Sequence, residues 1–371
     1  MTKQWISERA FSFEASGIRK VFDLGAKLQN PINLSIGQPD FDVPLAAKQA
    51  ACEAIMTGKN GYSPTQGIAP LLQYLQKEVD TQYQHTDRKV FITSGTSGGL
   101  MLLLMATVNP GDEVIMFDPY FVMYEALTKM LGGVPVLIDT YPDFVFDAQK
   151  IADAITPKTK VILFNSPANP SGAVASAQVA EEVAKLAREK NVLLVSDEIY
   201  DLFCHEPFTS PAQFNDQVLV LGGYSKSFGM PGWRVGFAHG PGEIIEQMLK
   251  IQQYTFVCSP QPLQWAAMTA TNCDMSVEIA HYKRKRDMLY DGIKDYYEVV
   301  KPGGAFYMFP KAAWGTASEF VHKAITEFSM LIIPGNVFSK RDTHFRISYA
   351  ASDATIERGI EAFRNLAQRN G

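Results

Sequence analysis

The sequence predicts an α/β fold built on one mainly parallel sheet, and three observations carry that prediction. Short runs rich in Val, Ile, Leu and Phe alternate with longer segments of helical spacing. The runs are near-continuous rather than alternating in polarity, as strands covered on both faces require. Each is closed by Gly, Pro, Asn or Asp, residues that favour turns. Strands are expected at 90–93, 113–117, 134–138, 161–164, 192–196, 218–221 and 235–238. A helix is expected at 179–189, where Ala180, Val183, Ala184 and Ala187 fall on one face, and another at 354–368. The apolar run 100–108 reads as a buried helix, far short of the ~20 residues that span a bilayer. Past about residue 275 the pattern changes to a long charged helix, strand-like segments at 305–309, 330–333 and 345–348, and the terminal helix. The expected organisation is therefore a large domain over 41–275, with 1–40 and 276–371 forming an N-terminal arm and a smaller α+β domain.

Composition narrows the partners. The 371 residues are 46% hydrophobic and 20% charged, ordinary for a globular chain. A formal net charge of −5 offers no basic field for phosphate backbones, so a small-molecule ligand is expected rather than nucleic acid. The basic run 283–286 lies within the long helix and reads as a solvated face. Cys52, Cys204, Cys258 and Cys273 lack the paired spacing of a zinc site or redox dithiol, so they read as reduced packing residues, with no metal expected. Residues 1–9 contain no apolar core of a signal peptide, so the chain is expected in the cytoplasm, off the membrane.

In an open parallel sheet, ligands bind beyond the carboxyl ends of the strands, so the residues just after each strand are the ones to inspect. After the first strand comes Thr93-Ser94-Gly95-Thr96-Ser97-Gly98-Gly99, a turn running into an apolar helix. Free amides there suit a phosphate, although a plain N-cap by Thr96 or Ser97 would look the same. The turn lacks the Gly-Lys-Ser/Thr of a nucleotide P-loop and the spacing of a dinucleotide fold, which leaves a smaller phosphorylated cofactor. After the sixth strand comes Gly222-Gly223-Tyr224-Ser225-Lys226, with Arg234 eight residues on. A lysine shielded from water becomes an amine nucleophile toward a carbonyl, and an arginine fork suits a phosphate dianion. Two solvated loop cations are the alternative.

The stretch 223–236, Gly-Tyr-Ser-Lys-Ser-Phe-Gly-Met-Pro-Gly-Trp-Arg-Val-Gly, resembles the pyridoxal phosphate attachment motif of the class I and II aminotransferases, fold type I. The resemblance extends to 36–44 (Ile-Gly-Gln-Pro-Asp-Phe-Asp-Val-Pro), 62–67 (Tyr-Ser-Pro-Thr-Gln-Gly), 165–172 (Asn-Ser-Pro-Ala-Asn-Pro-Ser-Gly), 196–200 (Ser-Asp-Glu-Ile-Tyr) and 345–349 (Phe-Arg-Ile-Ser-Tyr). It spans nearly the whole chain in family order and is similar to the Iγ-like subgroup of the aspartate aminotransferase superfamily. It implies a large domain with a seven-stranded sheet between helices and a smaller domain.

It also implies roles. Lys226 carries pyridoxal phosphate as a Schiff base and serves as general base. Asp197 faces the pyridine nitrogen and keeps the ring an electron sink, with a helix N-cap as its plain alternative. Asn169 and Tyr200 hydrogen-bond the phenolic oxygen, and Phe121 stacks on the ring. Thr96, Ser97 and Arg234 grip the phosphate, with Ser225 a further donor, and Tyr62 reaches it from the neighbouring subunit of a homodimer. Gly37, Asn169 and Arg346 take the substrate carboxylate, Arg346 as a bidentate pair. Substrates are an L-amino acid and a 2-oxo acid, 2-oxoglutarate being expected, in a ping-pong sequence. Relatives that take aspartate often carry lysine where this chain has Ser97, which favours an aromatic or other neutral donor. A serine three residues before the lysine in some relatives is Gly223 here. The same imine and base also suit a carbon–sulfur lyase acting on cysteine conjugates, the alternative reading. A cofactor-binding regulator would need a DNA-binding domain for which the chain has neither length nor basic region.

Overall fold

The computed structural model describes residues 5–25, 28–83, 85 and 87–369. Ile32–Asn33 forms β1, and the central sheet follows from β2 (Arg88–Thr93), β3 (Glu113–Asp118), β4 (Val134–Asp139), β5 (Thr159–Asn165), β6 (Leu193–Asp197), β7 (Leu219–Gly223) and β8 (Gly236–Pro241). The strand order is β2-β8-β7-β6-β5-β3-β4, with β8 antiparallel to both neighbours and every other pair parallel. All seven expected strands are present, each shifted or extended by one to three residues.

Their apolar runs are continuous because both faces are covered. Along β3, Val114 and Met116 pack into one buried cluster with Leu102, Leu103 and Met248, while Ile115 and Phe117 pack into another with Leu75 and Val183. That is the period-two alternation of a strand between two helical layers. Helix Ala177–Glu189 is capped by Ser176, whose hydroxyl accepts from Val179 N, and buries the four predicted positions. Helix Gly95–Thr107 carries the long apolar run and is buried apart from positions such as Met105.

A third cluster joins Ile32 and Leu34 to residues of 282–366. Here β9 (Tyr307–Met308), β10 (Met330–Leu331), β11 (Ile333–Pro334) and β12 (Phe345–Ser348) make two small sheets: β1 pairs parallel with β10, and β12 lies between β11 and β9.

Four expectations are corrected. Only Tyr307–Met308 of 305–309 is strand, since Ala305 takes a left-handed φ of 55°. The run 330–333 splits between two sheets. The basic run in helix Ser276–Ile293 is not one solvated face, because successive helical residues point about 100° apart and four of them are spread around the helix. Arg284 stays outside and pairs with Asp353, while Lys285 is buried against Asp40 and Arg286 Nη1 donates to Pro302 O at 3.1 Å. The Asp40 pair ties the 37–44 segment to that helix, reinforced by Tyr282 Oη donating to Asp40 Oδ1 at 2.6 Å. Cys52 is exposed on helix Leu45–Met56 rather than packed; all four cysteines are unpaired. Among the described residues no helix is long and apolar enough to cross a membrane.

Candidate active site

The carboxyl ends of β2, β3, β5, β6 and β7 open into one cleft of about 310 Å³, closed from above by the 36–38 segment and by Tyr307 and Arg346 of the small sheet. Topology alone places it there, since the chain leaves each parallel strand at the same edge.

At one end stands an anion cradle. Ser94 precedes helix Gly95–Thr107 and makes no side-chain cap bond, so Thr96 and Ser97 lie in the first turn, not at the cap. Thr96 Oγ1 donates to Gly222 O at 3.0 Å. Arg234, in the left-handed region at φ 56°, donates from Nη1 to Pro231 O at 2.8 Å and from Nη2 to Ser94 O at 3.3 Å. Glycine is required for this approach. A Cβ on Gly95, whose φ is 68°, would meet Arg234 Nη2 at 2.3 Å, and one on Gly236 would meet Thr96 N at 2.6 Å. A guanidinium against unspent helix amides favours a phosphate.

In the middle, Asp197 ends β6 with its carboxylate buried. Tyr124 Oη donates to its Oδ2 at 2.6 Å and Ile199 N to its Oδ1 at 3.3 Å. Burial pushes this carboxyl up, while Tyr124, the Ile199 amide and the Lys226 ammonium pull the other way. The plain local contact with Ile199 thus coexists with a carboxylate directed into the cleft. Asn165 braces the same floor, donating to Asp197 O at 3.0 Å and accepting from Asn169 N at 2.9 Å.

At the other end, Lys226 Nζ donates to Gly37 O at 2.5 Å and lies over the rings of Tyr200 and Phe306 at 5.8 and 5.9 Å. Burial, then the charges of Arg346 and Arg234, lower its amine to about 8, against the pull of Asp197. Arg346 is fully buried. It donates from Nη1 to Asn169 Oδ1 at 3.0 Å and from Nη2 to Ser35 O at 2.8 Å, and its guanidinium stacks 4.5 Å from the Tyr307 ring. Its Nε has no partner. Tyr200 and Tyr307 join hydroxyls at 2.9 Å.

The cleft thus gathers Gly37, Thr96, Ser97, Phe121, Asn169, Asp197, Tyr200, Ser225, Lys226, Arg234 and Arg346. Tyr62 is not among them: it is 85% exposed and outside the cleft of its own chain. Sequence reasoning missed Tyr124, Asn165 and Tyr307. The first follows Phe121 by one helical turn and the second ends β5, both readable once the strand ends are known; nothing local marks Tyr307.

This donor set fits pyridoxal phosphate: a cradle that only glycines leave open, a buried carboxylate for a ring nitrogen, an amine with lowered pKa, and a buried arginine with an unspent donor for a carboxylate. The lowered amine has a consequence. Its neutral fraction grows as pH rises through about 8, where an ordinary lysine waits until about 10.4. The rate at which the cofactor-free chain captures added pyridoxal phosphate, followed by visible absorbance, is expected to climb with that lower midpoint; a midpoint at the ordinary value would contradict the geometry.

Residues 29–363 match the family model described as aminotransferase class I and II. The chain is 36% identical to a probable aspartate aminotransferase of Methanocaldococcus jannaschii, covering 97% of this chain and 99% of that one. It is 31% identical to aromatic-amino-acid aminotransferase 2 of Thermococcus litoralis, over 97% and 98%. Among solved structures, the aspartate aminotransferase of Thermus thermophilus with maleate superposes with a TM-score of 0.92 at 31% identity, over 97% and 99% of the two chains. Family, fold type I architecture and cleft agree, and the chain belongs to the class I and II aminotransferases, enzymes that depend on pyridoxal phosphate.

Proposed function

We propose that this aminotransferase moves the amino group of an aromatic or other neutral L-amino acid to 2-oxoglutarate in two successive half-reactions on one site. The observation that carries the donor preference is the lining of the cleft. Among the described residues its cations are Lys226, Arg234 and Arg346, and Ser97 stands where aspartate-specific relatives often carry lysine. Ile18, Ile36, Leu100 and Phe121 supply apolar wall instead. The relatives' names point both ways, to aspartate and to aromatic amino acids.

When bound, pyridoxal phosphate supplies a carbonyl for the substrate amine and a sink for the electrons released at Cα. The residues do the rest. Thr96, Ser97, Ser225 and Arg234 would hold the phosphate, and Phe121 would lie against the ring. Asp197, oriented by Tyr124, would keep a proton on the ring nitrogen, while Asn169 and Tyr200 would donate to the phenolic oxygen. Arg346 and Gly37 would fix the substrate carboxylate in the cleft that Lys226 also lines. Lys226 would hold the cofactor's carbonyl carbon through its amine and would act as general base toward the Cα proton. The second half-reaction runs the same proton path backward with the oxo acid held by the same arginine.

The same reading divides the chain into a large domain, 41–275, and an arm plus small domain, 1–40 and 276–371, supported by two apolar clusters drawn from 43–270 and a third drawn mainly from 282–366 with Ile32 and Leu34, which Ile199, Tyr200 and Phe203 join from the large domain. It includes a homodimer in which Tyr62 completes the neighbouring phosphate site, supported by the exposure of Leu45, Met56, Tyr62 and Tyr254. A reducing, cytoplasmic setting accords with four unpaired cysteines. The carbon–sulfur lyase alternative gains no support from the site or the relatives.

The test is the absorbance of the cofactor-loaded protein with single amino acids and no acceptor. The visible band is expected to move to the near ultraviolet at lower concentrations of phenylalanine or tyrosine than of aspartate. A lower requirement for aspartate would overturn the donor assignment, and no shift with any amino acid would overturn the half-reaction.

A further inference from the structure

Tyr307 lines the catalytic cleft where the small sheet meets the ends of the parallel strands. It lies on β9 opposite Ser348 of β12, which makes Arg346 its diagonal neighbour on the same face of the small sheet. Its ring stacks against the Arg346 guanidinium at 4.5 Å. Its hydroxyl reaches the other way, to the Tyr200 hydroxyl at 2.9 Å. A Cβ on Gly37 would meet that hydroxyl at 2.8 Å, so it also lies directly against the residue whose carbonyl holds Lys226. Both phenols are buried, and burial raises both above the ordinary value, so each carries its proton. Among the described residues, each hydroxyl is the other's one hydrogen-bond partner.

A phenol has one proton to donate and lone pairs with which to accept. When Tyr200 spends its proton on the cofactor's phenolic oxygen, the proton left between the two hydroxyls is that of Tyr307, and the bond runs from Tyr307 to Tyr200. We propose that Tyr307 is a positioning residue that couples the cofactor and substrate halves of the site, an inference that rests on the Tyr200 role proposed above. Its hydroxyl aims and strengthens the hydrogen bond that Tyr200 donates, because hydrogen bonds in series polarise one another. Its ring holds the Arg346 fork in place by the attraction of a cation to an aromatic face, which is strongest where water is excluded.

The test is the pH titration of the visible band in the cofactor-loaded full chain. A donor on the phenolic oxygen draws negative charge away from the nitrogen of the covalent linkage, which then gives up its proton at lower pH; a weakened donor raises the midpoint. Tyr200→Phe is expected to raise it by about one pH unit or more, the size of a hydrogen bond to a charged group. Tyr307→Phe keeps the ring and is expected to raise it by a smaller step, about 0.3 pH unit or more. In the Tyr200→Phe background it is expected to add nothing, because it acts through Tyr200. The ring is read separately, by calorimetric titration with 3-phenylpropanoate, which has a carboxylate but neither an amine nor an oxo group to react. Tyr307→Phe is expected to bind it as the wild type does. Tyr307→Leu, read where its thermal midpoint shows a folded chain, is expected to bind it about five- to thirtyfold more weakly. A wild-type midpoint in Tyr307→Phe beside a shifted Tyr200→Phe, or a full Tyr307→Phe shift in the double variant, would overturn this inference alone. An unmoved midpoint in Tyr200→Phe would overturn the Tyr200 assignment and this inference with it, and unchanged binding by folded Tyr307→Leu would overturn the part given to the ring.

Discussion

Lys226→Ala is expected to lose turnover by roughly 10²- to 10⁴-fold or more, the range associated with removing a positioned general base. The expectation rests on placement: Nζ sits at the centre of the cleft, with Gly37 O at 2.5 Å and Tyr200, Phe306, Arg346, Arg234 and Asp197 around it. No other lysine lines the cleft among the described residues. The fold should tolerate the change, since the amine makes one hydrogen bond and no ion pair at hydrogen-bonding distance. The variant is therefore expected to keep its thermal midpoint and still retain pyridoxal phosphate through Arg234, the first helical turn and Asp197, but without the visible band of the covalent linkage. Steady-state kinetics and the absorbance spectrum check both parts, and near wild-type turnover would mean that a different lysine carries the chemistry.

Arg346→Ala carries the second largest expected effect, on substrate rather than cofactor. The side chain is fully buried and held by Asn169 Oδ1, Ser35 O and the Tyr307 and Phe338 rings, so its orientation is set before any ligand arrives. Removing one partner of a buried charge pair costs about 2 to 5 kcal/mol, or roughly 30- to 5,000-fold in the KM for amino acid and oxo acid alike. Arg346→Lys should recover only part of this, because an ammonium is a point charge without the planar fork. A second readout separates this role from a merely structural one. Arg346 depresses the Lys226 amine, so its removal is expected to shift the midpoint for cofactor capture to higher pH. An unchanged KM in Arg346→Ala would contradict the carboxylate role.

Much of this was legible in the chain alone because it is written locally. A strand covered on both faces must be apolar at successive positions, and Val114 to Phe117 is. The parallel topology then makes the strand ends one edge, so Ser94–Ser97, Asn165–Asn169, Asp197–Tyr200 and Ser225–Lys226 become neighbours as soon as the strands are placed. Less was legible in the small sheets. Ile332 separates β10 from β11, and that division depends on which distant segments, Ile32–Asn33 and Phe345–Arg346, arrive to pair with each half. The burial of Lys285 likewise depends on Asp40, far away in sequence, being brought against the helix.

By itself, then, the sequence determined the α/β class, the seven strands and the chemical identity of the residues at their ends, because periodicity and turn chemistry act over a few neighbouring residues. Only the tertiary structure decided that Tyr124 holds Asp197, that Tyr307 meets Tyr200 and stacks on Arg346, and that glycines at 95 and 236 let Arg234 reach the helix terminus. Those contacts join residues from separate elements, and their distances are set by how the sheet, its helices and the small sheets pack.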